Sequence, residues 1–519
     1  MGNTPNSGPS RRMRVRYHRG PAVSGAAPVI GRGAGWSWRV IVSIRRAYGA
    51  LGAARRHPLS DGLVVGCAAV AAVGAWTADW RWSVVVAAAG AVAFRLSGES
   101  LLRASLLLIV IAVAAGVRAD AAWDGLAPDA LGPYGGWVRV ADDPQPFASS
   151  TRVLVEVDGE RFEMWARGRA RRIRVSEWRA GEFVSVEGRR VTLEPERRDR
   201  VAWQHVVGEL RVDWVADRRA GGPVDRASNR VRAAIERGGE TLPGDDGSLF
   251  RGLVVGDDQD QPRAMIERFR ASGLSHLTAV SGQNVSFVLA AAGPLLRALR
   301  PWWRWAVTLG LIAWFMSLTR FEPSIVRAGV MAAMSATAFV LGRERSPARI
   351  LWLAVAALLL IDPLIVRSVG FWLSVGATAG VAIIGPELAA RLGRLGVFAM
   401  PVGVTVGAQV GVVVPAVLVF GRLPLVSIPA NLLAVPVAGF VMLYGLPAGL
   451  VAGFVPAVAP VVMLPCRLGV RWVDTIAVLG ERLEPGGAAT WVGWAVLVAV
   501  LSLIAAMNRD RHGDPPADR

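Results

Sequence analysis

The sequence predicts a polytopic α-helical membrane protein of about 12 spans, give or take about two, with a small antiparallel β domain inserted on its outer side. Three observations carry that prediction. The 519 residues are 53% hydrophobic with a mean hydropathy of +0.40, too apolar for a soluble enzyme of this length. Between residues 130 and 218 the apolar runs give way to short alternating ones punctuated by Gly, Asp and Pro. From residue 273 the chain is again almost continuously apolar, yet that half opens on a polar cluster.

Residues 1–60 are rich in Gly, Pro, Ser and Arg and read as a basic, disordered cytoplasmic arm. They lack the early apolar core and small-residue cleavage site of a signal peptide. The net charge of +18 rests on 58 basic residues, all arginine. Such a charge suits an anionic partner, nucleic acid or anionic lipid; a biased composition with cytoplasmic anchoring accounts for it equally well. Cys67 and Cys466 are the only cysteines, which excludes a disulfide framework and a four-cysteine zinc site.

Region 61–120 holds three apolar runs, 63–76, 82–96 and 101–117, with Trp76, Trp80 and Trp82 suited to an interfacial loop. Region 130–218 contains Trp137-Val138-Arg139-Val140, Arg152-Val153-Leu154-Val155-Glu156-Val157, Arg172-Ile173-Arg174-Val175 and Phe183-Val184-Ser185-Val186. Period-two alternation puts Arg on one face and Val on the other, and about five such strands suit a small OB-like barrel, with a sandwich as the alternative. A connector follows at 225–272. It holds an amphipathic helix over 226–237 ended by Gly238-Gly239, and another over 262–271 burying Met265, Ile266 and Phe269.

Region 273–508 contains about nine further candidate spans, near 277–299, 305–319, 324–341, 348–361, 369–385, 398–420, 424–443, 446–464 and 488–507. Those near Pro415, Pro436 and Pro447 are the ones a proline could break. With the arm in the cytoplasm, alternation brings Arg297, Arg300, Arg304, Arg343, Arg345, Arg349, Arg391, Arg394 and the tail 509–519 to the inner side. Arg320 and Arg327 fall toward the outer side, as does the β domain.

His276, Ser281, Gln283 and Asn284 crowd the first turns of this half, and Gly282 permits close helix approach. Polar groups at membrane depth need partners inside the bundle or a water-filled path. Gln409 and Asn431 stand alone in apolar segments and read first as interhelical hydrogen bonds, worth about 0.6 kcal/mol each. Arg327 is costly if deep and cheap if its head reaches the interface. His276 and Ser281 are five residues apart, so a helix points them in different directions, and no GxSxG elbow surrounds Ser281. The five histidines are scattered without metal-site spacing, and no phosphate loop is present. These residues predict no catalytic group, no metal and no cofactor.

Phe269-Arg270-Ala271-Ser272-Gly273-Leu274-Ser275-His276-Leu277-Thr278-Ala279-Val280-Ser281-Gly282 resembles the ComEC/Rec2 family of bacterial competence proteins. So do Leu242-Pro243-Gly244, Pro323-Ser324-Ile325-Val326-Arg327-Ala328, Asp362-Pro363, Gly370-Phe371-Trp372-Leu373-Ser374 and Pro429-Ala430-Asn431-Leu432-Leu433-Ala434-Val435-Pro436. The motifs follow in order, closely over 240–445 and loosely over the β domain. The resemblance implies a channel that passes single-stranded DNA across the cytoplasmic membrane. It places His276, Ser281, Gly282, Gln283, Asn284, Ser324, Arg327, Gln409 and Asn431 along or beside the path. It departs from the family at Gln283-Asn284, where many members have Leu-His, and in lacking the motifs of a carboxy-terminal metallo-β-lactamase-like domain. The short form implies a separate nuclease, a DNA receptor and a cytoplasmic ATPase as partners, membrane lipid around it and a homo-oligomer as one possible state.

In the β domain, Arg167, Arg169, Arg171 and Arg172 would engage phosphates, and Trp165, Trp178 or Phe183 would stack bases. The alternative is that these aromatics fill the barrel. A transporter for another anionic or polar solute is the competing function, and an intramembrane hydrolase using Ser281 and His276 is a third.

Overall fold

The structure, a computed structural model, describes residues 61–79, 81, 85, 101–147, 149–278, 282–343, 346–421 and 423–509. The basic arm 1–60, all but Val85 of the expected span 82–96, Ser281 and the tail beyond Arg509 lie outside them. Helices α1 (Asp61–Thr77) and α2 (Leu101–Asp124) open the described chain. They pack through Leu63, Cys67 and Val70 against Ala104, Leu108 and Ala112, where the two alanines let the backbones approach.

The β domain has six strands: β1 (Gly132–Val140), β2 (Gln145–Phe147), β3 (Ser150–Val157), β4 (Glu160–Arg167), β5 (Phe183–Thr192) and β6 (Val206–Arg219). Their order is β1-β5-β6-β4-β3, with β3 pairing back onto β1 to close a ring and short β2 added beside β3. β4 and β6 run parallel; the other pairs are antiparallel. The alternation read in the sequence sets the inner face: Val138, Val140, Val153, Val155, Val157, Val184 and Val186 form one core.

One expected strand is a helix. Arg172-Ile173-Arg174-Val175 belongs to α3 (Arg169–Ser176), between β4 and β5. Gly168, at φ 83°, turns the chain out of β4, a conformation that only glycine adopts without strain. Val175 is the helix's one buried residue, while Arg171 and Arg174 donate to the β6 carbonyls of Val212 (3.1 Å) and Val215 (3.4 Å). The Arg/Val alternation thus matched a helix that buries one residue and sends its arginines to a strand edge.

After α4 (Pro195–Val201) and β6, the connector helix α5 (Pro223–Glu240) runs through Gly238-Gly239 instead of stopping there. A Cβ on Gly238 would strike the backbone of Gly449, so that glycine serves helix contact rather than termination. Helices α6 (Asp246–Val255), α7 (Arg263–Ala271) and the single turn α8 (Ser275–Thr278) follow. Met265 and Phe269 are buried, whereas Ile266 is exposed, so two of the three expected apolar anchors face the core.

The second half comprises α9 (Gly282–Arg297), α10 (Pro301–Leu318), α11 (Pro323–Val340), α12 (Pro347–Ile361), α13 (Val369–Ala379), α14 (Gly385–Arg391), α15 (Ala399–Phe420), α16 (Ser427–Phe454), α17 (Leu464–Leu483) and α18 (Gly487–Arg509). A π-helical turn, Gly380–Ile384, joins α13 to α14. The expected spans 424–443 and 446–464 are replaced by one 28-residue helix, α16, that carries Pro436 and Pro447 in its interior. Buried Ala434, Ala438, Gly445, Ala448 and Gly449 press it against neighbours, and such packing holds a helix through its prolines. Helix α17 was not expected: Arg467, Arg471, Asp474 and Glu481 interrupt its apolar run, but Val470, Val473, Ile476 and Ala477 lie buried on one face.

Among the described residues five helices are long and apolar enough to cross a membrane: Ala104–Asp124, Pro323–Val340, Val369–Arg391, Gly393–Phe420 and Ser427–Phe454. The pair α17 and α18, bent by 106°, would add a sixth. The chain is a multi-pass membrane protein. A glycine seam joins two of these helices: Gly376, Gly380 and Gly385 face Gly411, Gly407 and Gly403, and a Cβ on any of the six would meet backbone across the seam.

The barrel is tied to the helices through one buried carboxylate. Asp143, 4% exposed at the end of β1, accepts from Arg320 Nε and Nη2 (both 3.0 Å), from the backbone of Ala180 (2.8 Å), and faces Arg232 of α5 at 3.2 Å. Arg320 also donates to Asn229 (2.7 Å), whose amide donates to Ala180 (3.1 Å). Burial opposes the charge on Asp143, but the two guanidiniums outweigh it and hold the carboxyl below its ordinary value. For neighbouring Asp142, burial together with the charge of Asp143 wins, and its pKa is pushed up to about 6.

Asp143→Ala leaves two arginines buried without their shared counter-ion and should lower stability by about 3–5 kcal/mol, read as a fall in thermal midpoint in detergent. A raised acid is a penalty only where it is ionised. Asp142→Asn should therefore stabilise the protein by about 1–2 kcal/mol above pH 6, with the gain fading as pH falls from about 6 to about 4. Thermal midpoints across that range check the sign.

Candidate functional site

The polar residues of the membrane half form two groups. The first is built around Arg327, one turn into α11 and only 4% exposed. Its guanidinium does not reach for the interface. Nε donates to Ser374 Oγ on α13 (2.9 Å), Nη2 donates to the same hydroxyl, and Nη1 lies 3.0 Å from Met331 Sδ. Gly282, at the start of α9, faces the same point: a Cβ there would lie 3.0 Å from that of Ala328 and 3.3 Å from Arg327 Nη2. Three helices therefore converge on one cation, and no carboxylate among the described residues pairs with it.

The second group is centred on Ser427, at the start of α16. Gln409 of α15 donates to Ser427 Oγ (3.0 Å), that hydroxyl donates to the carbonyl of Pro424 (2.7 Å), and Asn431 donates to the carbonyl of Ser427 (2.6 Å). Gly273 lies against Ser427, so close that a Cβ would come within 2.5 Å of its side chain. Gln409 and Asn431, isolated in the sequence, thus share one serine. Helix α9 bridges the groups: its N-terminal Gly282 meets α11, and its Phe287 packs on Gly439 of α16 at 2.8 Å from a Cβ placed there.

The remaining residues of the expected path scatter. Asn284 is buried on α9, next in sequence to Val285, which joins the core of Ile312, Phe315, Ile325 and Ala328. His276 and Gln283 are exposed, Ser324 is half-buried, and Ser281 lies outside the described residues. Ser374 and Ser427 were missed. Both sit in or next to motifs already visible in the sequence, but a lone serine carries no cost that singles it out, and only the arginine and amide partners reveal it.

In the β domain, Arg167, Arg169 and Arg171 are exposed and Arg172 is half-buried on α3. Arg171 already donates to the carbonyls of Val212 and Asp213. Trp178 is 2% exposed inside the barrel core, so its indole fills the interior and offers no face for a base. Trp165 is half-buried, edge-on to Phe147 with ring centroids 5.8 Å apart, and Arg197 lies over it at 5.2 Å. Glu163 beneath them is buried between Arg152 (3.1 Å) and Arg197 (2.8 Å); burial opposes its charge, yet these arginines hold its carboxyl below the ordinary value. Among the described residues, no three His, Cys, Asp or Glu side chains converge as a metal site.

Residues 253–510 match the family described as "Competence protein". The chain is a ComEC/Rec2-type competence protein. It is 31% identical to "Competence protein ComA" of Neisseria gonorrhoeae over 34% of this chain and 30% of the relative. It is 28% identical to "ComE operon protein 3" of Bacillus subtilis over 47% of this chain and 30% of that one. An uncharacterized Escherichia coli protein, YcaI, is 27% identical over 37% of this chain and 28% of its own length. The matches span less than a third of each relative. No solved structure matches. Both polar groups fall inside the matched competence domain.

The two serines should behave differently. Ser374→Ala removes the hydroxyl that two guanidinium nitrogens share and should cost about 1.5–3 kcal/mol. Ser427→Ala keeps the carbonyl that Asn431 uses and loses the Gln409 contact and the bond to the Pro424 carbonyl, about 1 kcal/mol together and less than Ser374→Ala. Thermal midpoints of the two variants in one detergent give the comparison.

Proposed function

We propose that this competence protein conducts single-stranded DNA across the cytoplasmic membrane during transformation, with its amino terminus in the cytoplasm and the β barrel outside. The observation that carries this is Arg327, a buried cation held by a neutral serine where three helices of the competence domain meet. A cation kept at membrane depth without a carboxylate is expensive, and a passing polyanion is a ligand that would repay that cost. The groups around Arg327 and Ser427, together with Asn284 and Ser324, are the positions at which side chains would replace water around the strand.

The barrel is proposed to be of the OB type. Leaving out β2, its ring order with one parallel pair and a helix between the third and fourth strands is the OB arrangement, and such barrels receive single strands on a basic surface. Arg167 and Arg169, exposed at the β4–α3 junction, are the phosphate contacts this reading favours, with Trp165 as the nearest aromatic. In this reading the chain acts as a conduit and carries no catalytic group. A DNA receptor, a nuclease and a cytoplasmic ATPase would deliver the strand, degrade its complement and pull it through.

Arg327→Gln, which keeps a polar side chain but removes the charge, should cut transformation at least about 100-fold with membrane insertion and growth unchanged, while Arg327→Lys should retain part of it. Uptake of end-labelled DNA into the cytoplasm is the direct measurement. Equal entry of label in cells lacking the protein would refute DNA conduction and leave another anionic solute as the cargo.

A further inference from the structure

A cavity of about 440 Å3 lies between the ends of α9, α10 and α11 that are farthest from the barrel. The distance follows from α10 itself: its carboxy-terminal end leads into Arg320, which is bound to Asp143 of the barrel. Helix α11, one of the five long and apolar enough to cross a membrane, starts three residues after Arg320, and its 18 residues rise about 27 Å to the end where Phe339 packs on Arg304, close to the apolar thickness of a bilayer. Trp302 and Trp303, 66% and 67% exposed, mark that end as a membrane–water boundary.

The walls of the cavity are of two kinds. Gly293, Ala336 and Phe339 are among its apolar side, and Arg297 and Arg304 are at its mouth. Arg304 lies over the Phe339 ring at 4.3 Å, which fixes its guanidinium in the cavity. Among the described residues, neither arginine forms an ion pair with a carboxylate. The Trp305 indole N–H is already given to Thr337 (3.0 Å), and Arg304 occupies one face of the Phe339 ring. A slot with an aliphatic wall and two cations at a membrane boundary has the polarity profile of a phospholipid.

We propose that this cavity is a binding site for one anionic phospholipid, with its phosphate between Arg297 and Arg304 and an acyl chain along Gly293 and Ala336. The site stands apart from the Arg327 group, and it does not depend on what the protein transports.

The test uses the full chain purified in a neutral detergent, with lipid adducts counted by native mass spectrometry after adding phosphatidylglycerol or phosphatidylcholine. Wild type should retain one tightly held phosphatidylglycerol and at least about tenfold less phosphatidylcholine. Arg297→Gln with Arg304→Gln should abolish that preference. Gly293→Leu provides a second variant that preserves both charges: Gly293 lines the slot and a Cβ there meets nothing within 4 Å, so a larger side chain has room to start into it. It should lower phosphatidylglycerol retention about tenfold with the thermal midpoint of the lipid-free protein unchanged. Equal retention of the two lipids, or full retention by Gly293→Leu, would overturn the proposal. Displacement of the lipid by inorganic phosphate would also overturn it in favour of a free-anion site, and displacement by a short single-stranded oligonucleotide would do so in favour of nucleic acid.

Discussion

Asp143 sits between two arginines that come from different parts of the fold, Arg232 on the connector helix and Arg320 on the turn between α10 and α11. Each guanidinium is almost wholly out of water, and the carboxylate is the closest counter-ion of both. Because the carboxylate belongs to the barrel, barrel, connector and membrane helices can be buried together or not at all. Arg320 and the following Phe321 hold φ of 58° and 54°, a left-handed turn that costs residues with side chains about 1–3 kcal/mol each. The ion network over-determines that turn, and the turn in turn sets where α11 begins. The placement of Arg327, one helical turn further on, thus rests on an interaction made with the barrel.

A second junction works by different chemistry. Arg198 of α4, between β5 and β6, lies over Trp123 of α2 at 5.6 Å, and His205 contacts Asp362 at 3.1 Å. Leu126, Ala202 and Leu364 close the space beneath. The barrel is therefore held at two separated places on the helical part, one ionic and one aromatic. A body pinned at two points loses the freedom to swivel that a single tether would leave. Strand delivery by the barrel, in the proposed function, would then be aimed.

What the sequence disclosed follows from the kind of signal each element carries. Alternating valines located β1, β3 and β5 because a barrel has one apolar face, and long apolar runs located α11 and α15 because lipid tolerates little else. Two signals misled. The Arg/Val alternation at 172–175 is equally compatible with a short helix anchored by one residue, and only Gly168 distinguishes them. Prolines at 436 and 447 suggested breaks that tertiary packing overrides. The site was legible as a set of costly residues, Arg327, Gln409 and Asn431, and not as a geometry. Ser374 and Ser427, which bind them, gave no sign, since a serine is cheap wherever it lies and acquires meaning only from what donates to it.

The glycine seam between α13–α14 and α15 has a bearing beyond packing. Any protein that opens a membrane to a polymer of phosphates must still refuse protons and small ions, or the membrane potential collapses. Where side chains interdigitate, gaps between them can admit a file of water; where backbone rests on backbone, as from Gly376 to Gly403, there is no room for one. The seam is in this sense a gasket. Its six missing methyl groups bring backbone against backbone along one side of the bundle and leave no gap there for a file of water.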